Sequence, residues 1–319
     1  MCTTVGTSRR GVFLGRTVRN ESVCPQHFLL TLRLESFPPS APGQFVQLQC
    51  RGLDEQTAAR EITPAPGVWP QATQPELTDR EPMLRRPLSL AARRDVPDGV
   101  EIDIIYRTVG AGTHWLADIG PGQELSVLGP LGNGFAIRGD KPFAALIGGG
   151  VGIPPMLYLA GALSAAARSS AAFFGARTAG FLPVTVLPNK EPAADGTPTP
   201  CVRELSAACI DAAVATDDGS LGFHGLVSEA FLRWFETHDF DPRDVVVYAC
   251  GPEPMLRAVG DLCLRRGIEC RLSLERHMAC GMGTCQSCVV RVRAETPEGW
   301  AYKLCCTDGP VFDAADLLW

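Results

Sequence analysis

The residues whose types and spacing most clearly suit chemistry are cysteines, in the run Cys280-Gly-Met-Gly-Thr-Cys285-Gln-Ser-Cys288 with the doublet Cys305-Cys306 further on. A C-x4-C-x2-C loop with a distant fourth cysteine is the plant-type [2Fe–2S] pattern, in which one tight loop gathers three thiolates around a cluster. Gly281 and Gly283 suit such a loop. Glycine lets the backbone take unusual dihedrals and lets amide N–H groups approach sulfur. A zinc site is the competing reading, although zinc ligands generally come as closely spaced pairs on both sides; plain buried thiols are a third.

Two glycine turns follow apolar strands and open helices. The first is Ile147-Gly-Gly-Gly-Val-Gly-Ile-Pro-Pro-Met156, the second Cys250-Gly-Pro-Glu-Pro-Met255. Glycine at such a place lets a pyrophosphate come close to the backbone at a helix start. The spacing departs from G-x-G-x-x-G, so a purely structural turn stands as the alternative for each. Two such turns on one sheet edge imply a ligand crevice. A third feature joins Arg85-Arg86-Pro87-Leu88-Ser89 to Tyr106-Arg-Thr-Val-Gly110-Ala-Gly112-Thr113. Singly these read as an arginine pair before a strand and a glycine turn. Together, upstream of the glycine turns and the cysteine loop, they suggest a flavin site with an arginine for pyrophosphate.

The elements that must position these groups fall into three units. Residues 1–138 show short apolar runs at 28–34, 44–50, 88–91, 100–106 and 124–128, separated by Gly/Pro turns, which predicts an antiparallel β-barrel. Within it, 52–82 is rich in Pro, Gln, Thr and Ala and reads as an irregular surface insertion. Residues 139–272 alternate strands and helices. Strands are expected at 143–147, 171–174, 212–215, 245–249 and 269–274, and helices at 154–166, 227–236 and 253–266, with a short helix or loop at 202–208. That alternation predicts an α/β domain with a parallel sheet. Residues 273–319 form a cysteine-rich unit too small for a large core, which a metal staple would support.

Composition narrows the function classes. The 319 residues are 45% hydrophobic and 20% charged, the balance of an ordinary globular chain. A net charge of −6, with no basic stripe interleaved with aromatics, argues against nucleic acid. Thirteen cysteines is an odd number that fits a fully paired secreted framework poorly. Residues 1–20 lack the apolar core of a signal peptide, so a reducing cytoplasm is expected. The uncharged stretch 142–167 is long enough for a membrane span, but its glycines and Pro154-Pro155 divide it into strand, turn and helix.

The order of these features resembles the ferredoxin–NADP reductase superfamily. Within it, the chain resembles the electron-transfer subunit of NAD-dependent dihydroorotate dehydrogenase, class 1B. The resemblance runs through Thr216-Asp-Asp-Gly-Ser220 and Gly222-Phe-His-Gly225 to the ending Cys306-Thr-Asp-Gly-Pro-Val-Phe312. It implies an FAD-binding barrel, an NAD-binding α/β domain and a small [2Fe–2S] domain. By resemblance, Arg86, Pro87, Leu88, Ser89, Tyr106, Gly112 and Thr113 bind FAD. Gly149, Gly150, Gly152, Cys250, Gly251 and Pro252 take the NAD(H) side with Asp218, although Asp217 and Asp218 also suit a turn cap. Cys280, Cys285, Cys288 and Cys306 carry over as cluster ligands, and the doublet keeps Cys305 open as the fourth.

No acid or base of the chain is required, so no catalytic residue is assigned. The implied partner is a separate FMN-bearing dihydroorotate dehydrogenase catalytic subunit in a heterotetramer, since the three units leave no room for the roughly 250 residues of an FMN barrel. The loop 278–287, with Met278 and Met282 exposed, is expected on the docking face. A reductase or electron-transfer subunit of an oxygenase, a hydrogenase or a ferredoxin–NADP transhydrogenase shares most of these motifs. A zinc-stapled binding module or redox sensor is the alternative of another class.

Overall fold

A computed structural model describes residues 10–53, 66–67 and 84–319. The insertion read at 52–82 therefore lies almost entirely outside the described residues. The first unit contains strands β1 (Gly11–Cys24), β2 (His27–Leu34), β3 (Phe45–Leu48), β4 (Arg86–Ser89), β5 (Ala92–Val96), β6 (Gly99–Arg107) and β7 (Glu124–Leu131), with helix α1 (Ala111–Ala117) before β7. They pair antiparallel in the order β4-β3-β7-β1-β2-β6-β5. The edge strands β4 and β5 are separated in sequence only by Leu90 and Ala91. The sheet must therefore curl until its edges meet. The Leu90 N–H donates to Gln44 O at 3.2 Å and the Ala91 N–H to Asp103 O at 2.8 Å, joining both sides of the curl. Period-two alternation turns Leu30, Leu32, Leu34, Ile102, Ile104 and Tyr106 inward, onto Val46, Leu48, Leu125 and Val127. The long strand β1 and the short helix α1 were not anticipated: charged residues interrupt the apolar run of β1, and α1 spans barely two turns.

The second unit is a sheet in the order β11-β10-β9-β8-β12-β13-β16, the last strand being Val311–Asp313. Its parallel strands are β8 (Phe143–Gly149), β9 (Ser169–Ala176), β10 (Asp211–Thr216), β11 (Phe223–His224), β12 (Val245–Cys250) and β13 (Glu269–Ser273). Helices α2 (Ile153–Ala165), α3 (Val227–Thr237) and α4 (Glu253–Arg266) cover it. Pro154 and Pro155 open α2, where a missing N–H costs nothing. Helix α4 closes on Gly267 at φ +70°, with Glu253 in its first turn and Arg265 and Arg266 in its last, as the helix dipole favours. Among the described residues no helix is long and apolar enough to cross a membrane. Helix α2 begins and ends inside the uncharged stretch that had suggested one.

The C-terminal residues form strands β14 (Val289–Arg293), β15 (Trp300–Leu304), β16 (Val311–Asp313) and β17 (Leu317–Leu318). Three of them make a small sheet in the order β15-β14-β17. Strand β16 instead pairs antiparallel with β13, at the edge of the parallel sheet. Cys288, Val290, Val292, Cys305, Cys306 and Leu317 share one core with Trp234 of α3, Leu256 of α4 and Phe45 of β3. The small unit thus borrows its neighbours' core, and apolar contact supplements whatever a metal staple adds.

Candidate functional site

Strand β4 carries the residues that resemblance assigns to FAD, and its two arginines have different surroundings. Arg85, just before the strand, directs its guanidinium at the barrel: Nη1 donates to Ser126 O at 2.8 Å and Nη2 to Ser126 Oγ at 2.7 Å. Among the described residues Arg86 bonds only local carbonyls, Leu84 O at 2.6 Å and Arg85 O at 3.5 Å. It lies against Gly112, where a Cβ would stand 2.9 Å from Arg86 Nε. The fold therefore brings Arg86 and the Gly112 turn together, leaving the guanidinium able to turn to an anion. Thr113 is nearby but its hydroxyl is engaged, accepting from the N–H groups of Val109 at 2.8 Å and Gly110 at 3.1 Å and donating to Gly110 O at 3.0 Å. It shapes the turn. The Tyr106 side chain stands apart from this surface, buried in the barrel core with its hydroxyl donating to Asn20 Oδ1 at 3.1 Å. Burial pushes its phenol well above the ordinary tyrosine value.

The two glycine turns meet. Strands β8 and β12 are neighbours, with Gly148 opposite Cys250, and the chain leaves β8 for β9 on one side and β12 on the other. That is the switch point of an open α/β sheet, where ligands bind beyond the carboxyl ends of the strands. A Cβ on Gly152 would collide with the Cys250 carbonyl, and one on Gly149 would stand 2.5 Å from Met255 Sδ and 3.2 Å from Pro252 Cδ. Gly150 adopts φ +52° with open space where a Cβ would be. Cys250 is buried at the end of β12, and burial pushes its thiol up to about 12. Asp218, in the turn after β10, accepts from Ser220 Oγ at 2.6 Å and Ser220 N at 3.0 Å. It caps that turn at the same sheet edge. The Ser220 hydroxyl holds its carboxyl below the usual range.

The cysteine loop leaves β13 and folds over the joint between barrel and sheet. Gly281 at φ +68°, Gly283 at +94° and Gln286 at +56° turn it tightly in the left-handed region. Cys280 Sγ accepts from the N–H groups of Met282 and Cys285, each at 3.4 Å. Exposed Cys285 lies 3.2 Å from Ser287 Oγ, the contact that chiefly lowers its thiol to about 6. Cys306 is buried against the thiol of Cys288; burial first, then that contact, pushes it up to about 12. Cys305 is buried too, also near 12, and its N–H donates to Cys288 O at 3.0 Å. The sulfurs thus fall into two pairs, Cys280 with Cys285 and Cys288 with Cys306. Two irons sharing four cysteines require two pairs, so the donor set fits a [2Fe–2S] cluster. Met282 is 45% exposed, but Met278 packs against the core of the second unit, a correction to the expectation that both face solvent.

Two residues of this region had no recognised motif. Asn133, just after β7, clamps the C-terminal ending: its Nδ2 donates to Asp308 O at 3.0 Å and Val311 O at 2.9 Å, and its Oδ1 accepts from the Val311 N–H at 2.9 Å. Gln47 of β3 is fully buried beneath the cysteine loop. Its one sequence signal is an amide in the apolar run Phe45-Val-Gln-Leu48.

Similarity to known proteins agrees with this arrangement. Residues 275–318 match the family model of the iron–sulfur cluster binding domain of dihydroorotate dehydrogenase B. The electron transfer subunit of dihydroorotate dehydrogenase B (NAD(+)) from Bacillus caldolyticus is 39% identical over 242 residues, 75% of this chain and 81% of that protein. The subunit of the same name from Caldanaerobacter subterraneus subsp. tengcongensis is 30% identical over 303 residues, 95% of this chain and 97% of that one. The chain belongs to this family of electron-transfer subunits. Among solved structures, an NADH-dependent reduced ferredoxin-NADP oxidoreductase superposes with a TM-score of 0.69 at 25% identity, covering 99% of this chain and 92% of its own. The ferredoxin reductase of carbazole 1,9a-dioxygenase, at 19% identity and a TM-score of 0.57, shares the fold. Within the matched residues, β16 is the segment that docks on the parallel sheet beside β13.

Proposed function

We propose that this chain is the electron-transfer subunit of an NAD-dependent dihydroorotate dehydrogenase, working in pyrimidine biosynthesis with a partner catalytic subunit that carries FMN. When bound, FAD exchanges hydride with nicotinamide and single electrons with an iron–sulfur cluster. The chain's own residues bind and align. Arg86 beside Gly112 would take the FAD pyrophosphate, and Pro87, Leu88 and Ser89 would border the flavin. Gly149, Gly150 and Gly152, facing Cys250, Gly251 and Pro252, would admit the dinucleotide at the switch point. Cys280, Cys285, Cys288 and Cys306 would hold the cluster, Cys306 being the doublet member whose thiol meets that of Cys288. The complex is a heterotetramer in the cytoplasm. One observation carries this reading: the cysteine loop packs directly on β3, the hydrogen-bonded neighbour of flavin strand β4.

The purified chain should show flavin and [2Fe–2S] absorption together, and NADH should bleach both anaerobically. A colourless protein containing zinc would refute the assignment. Cys306→Ser should lose the cluster bands and retain NADH-reducible flavin, whereas Cys305→Ser should keep both; the opposite pattern would move the fourth ligand to Cys305.

A further inference from the structure

Gln47 is 0% exposed, yet neither Oε1 nor Nε2 of its carboxamide has a hydrogen-bond partner among the described residues. Buried polar groups are almost always paired, because an unpaired one forfeits its hydration for nothing. Alternation along β3 turns Val46 and Leu48 into the barrel core and sends Phe45 and Gln47 the other way, with Phe45 joining the core that contains Cys288, Cys305 and Cys306. The carboxamide ends on the cysteine loop. A Cβ on Gly281 would stand 2.7 Å from Gln47 Cδ, 2.8 Å from Nε2 and 3.0 Å from Oε1. Gly281 adjoins Cys280, and its lack of a side chain is what admits the amide. Across the strand ladder Gln47 pairs with Pro87 of β4. The orphaned amide thus lies between the loop that holds sulfur and the strand that borders the flavin.

We infer that Gln47 is a positioning residue for the iron–sulfur cluster, its Nε2 donating a hydrogen bond to a cluster sulfur at the Cys280 end, either the thiolate or a bridging sulfide. The inference rests on the proposed function, since it needs a cluster in this loop. Sulfur ligated to iron is an acceptor that a carboxamide can satisfy and the polypeptide does not otherwise offer here. Hydrogen bonds to cluster sulfur stabilise the added electron and raise the reduction potential. The same bond would hold the loop at a fixed distance from the flavin strand.

The test uses the holoprotein with FAD and cluster bound. Gln47→Met keeps the length and removes the donor. Its cluster midpoint potential, read from the reduced-cluster EPR signal in a redox titration, should shift negative while iron and FAD contents stay at wild-type levels. Protein labelled with 15N at glutamine side chains should show a hyperfine coupling from that nitrogen to the reduced cluster, lost in Gln47→Met and kept in Gln286→Met. If Gln47→Met fails to hold iron, the labelled wild-type protein still decides, because the absence of any glutamine side-chain coupling to its reduced cluster would overturn the inference. An unchanged cluster potential with full iron content, a shift confined to the flavin potential, or a coupling lost in Gln286→Met would each overturn the inference. Wild-type protein with no iron–sulfur spectrum would instead refute the proposed function on which it rests.

Discussion

At the scale of single residues, neighbouring groups of one type do different work because their surroundings differ. Arg85 is held by Ser126 on the barrel, whereas half-buried Arg86 bonds the local carbonyls of Leu84 and Arg85 beside Gly112. Arg86→Ala should therefore weaken equilibrium FAD binding by about 2 kcal/mol, the scale of a lost charge-assisted hydrogen bond, with little change in folding stability. Arg85→Ala should do the reverse, lowering the denaturation midpoint; equal FAD losses in both variants would contradict this division. Cys250 supplies a test through pH. Burial raises its folded value to about 12 against an ordinary 9.0, so the folded state keeps a proton that the unfolded chain releases. The stabilisation is fully present below pH 9 and is lost as pH rises toward 12. Thermal midpoints should fall over that window, less steeply in Cys250→Ala, and the native thiol should resist iodoacetamide at pH 8.

Among the elements, β16 decides how the C-terminal unit attaches. It leaves its own small sheet to extend the parallel one beside β13, and Asn133 from the barrel side fixes its approach with three side-chain hydrogen bonds to Asp308 and Val311. Asn133→Ala removes all three and strips the N–H and carbonyl of buried Val311 of their side-chain partner. It should cost on the order of 2 to 3 kcal/mol in chemical denaturation, while β4 and the glycine turns, which the proposal assigns to FAD and NAD, lie elsewhere, so FAD content should be retained. Unchanged stability would mean that the backbone ladder alone docks the unit. The expected strands of barrel and sheet had shown themselves as apolar runs bounded by turns. Those of the C-terminal unit had not, since β14 alternates buried valines with exposed residues over only five positions and β17 has two residues.

For the whole molecule, the cysteine segment bridges the first two units: Gly281 packs on Gln47 of the barrel, and Arg276 pairs with Glu253 just after the second glycine turn. Only the outer side of that loop faces away, with Cys285 and Met282 exposed. Electrons leaving the cluster for a separate subunit should exit there. Met282→Glu places a charge in that contact and should leave NADH reduction of FAD in the isolated chain unchanged, while stopped-flow delivery to the FMN partner falls several-fold. Equal delivery rates would remove this loop from the docking face. Met278, half-buried against the core, should instead affect folding when replaced by a charge.

The sequence by itself determined the cofactor chemistry, because cysteine spacing within a loop and glycines between strand and helix are local properties of the chain. It also marked three units, through the change from period-two runs to strand–helix alternation and then to clustered cysteines. Tertiary structure alone decided which arginine is tied to Ser126, which thiol of the doublet meets the thiol of Cys288, and that Gln47 lies beneath the cysteine loop while Asn133 clamps the ending. Each depends on a contact between segments far apart in the chain, such as Gln47 with Gly281 or Asn133 with Val311. A one-residue change of register would turn Gln47 into the barrel and Val46 toward the cysteine loop. That choice is made by packing two surfaces together, and no local pattern records it.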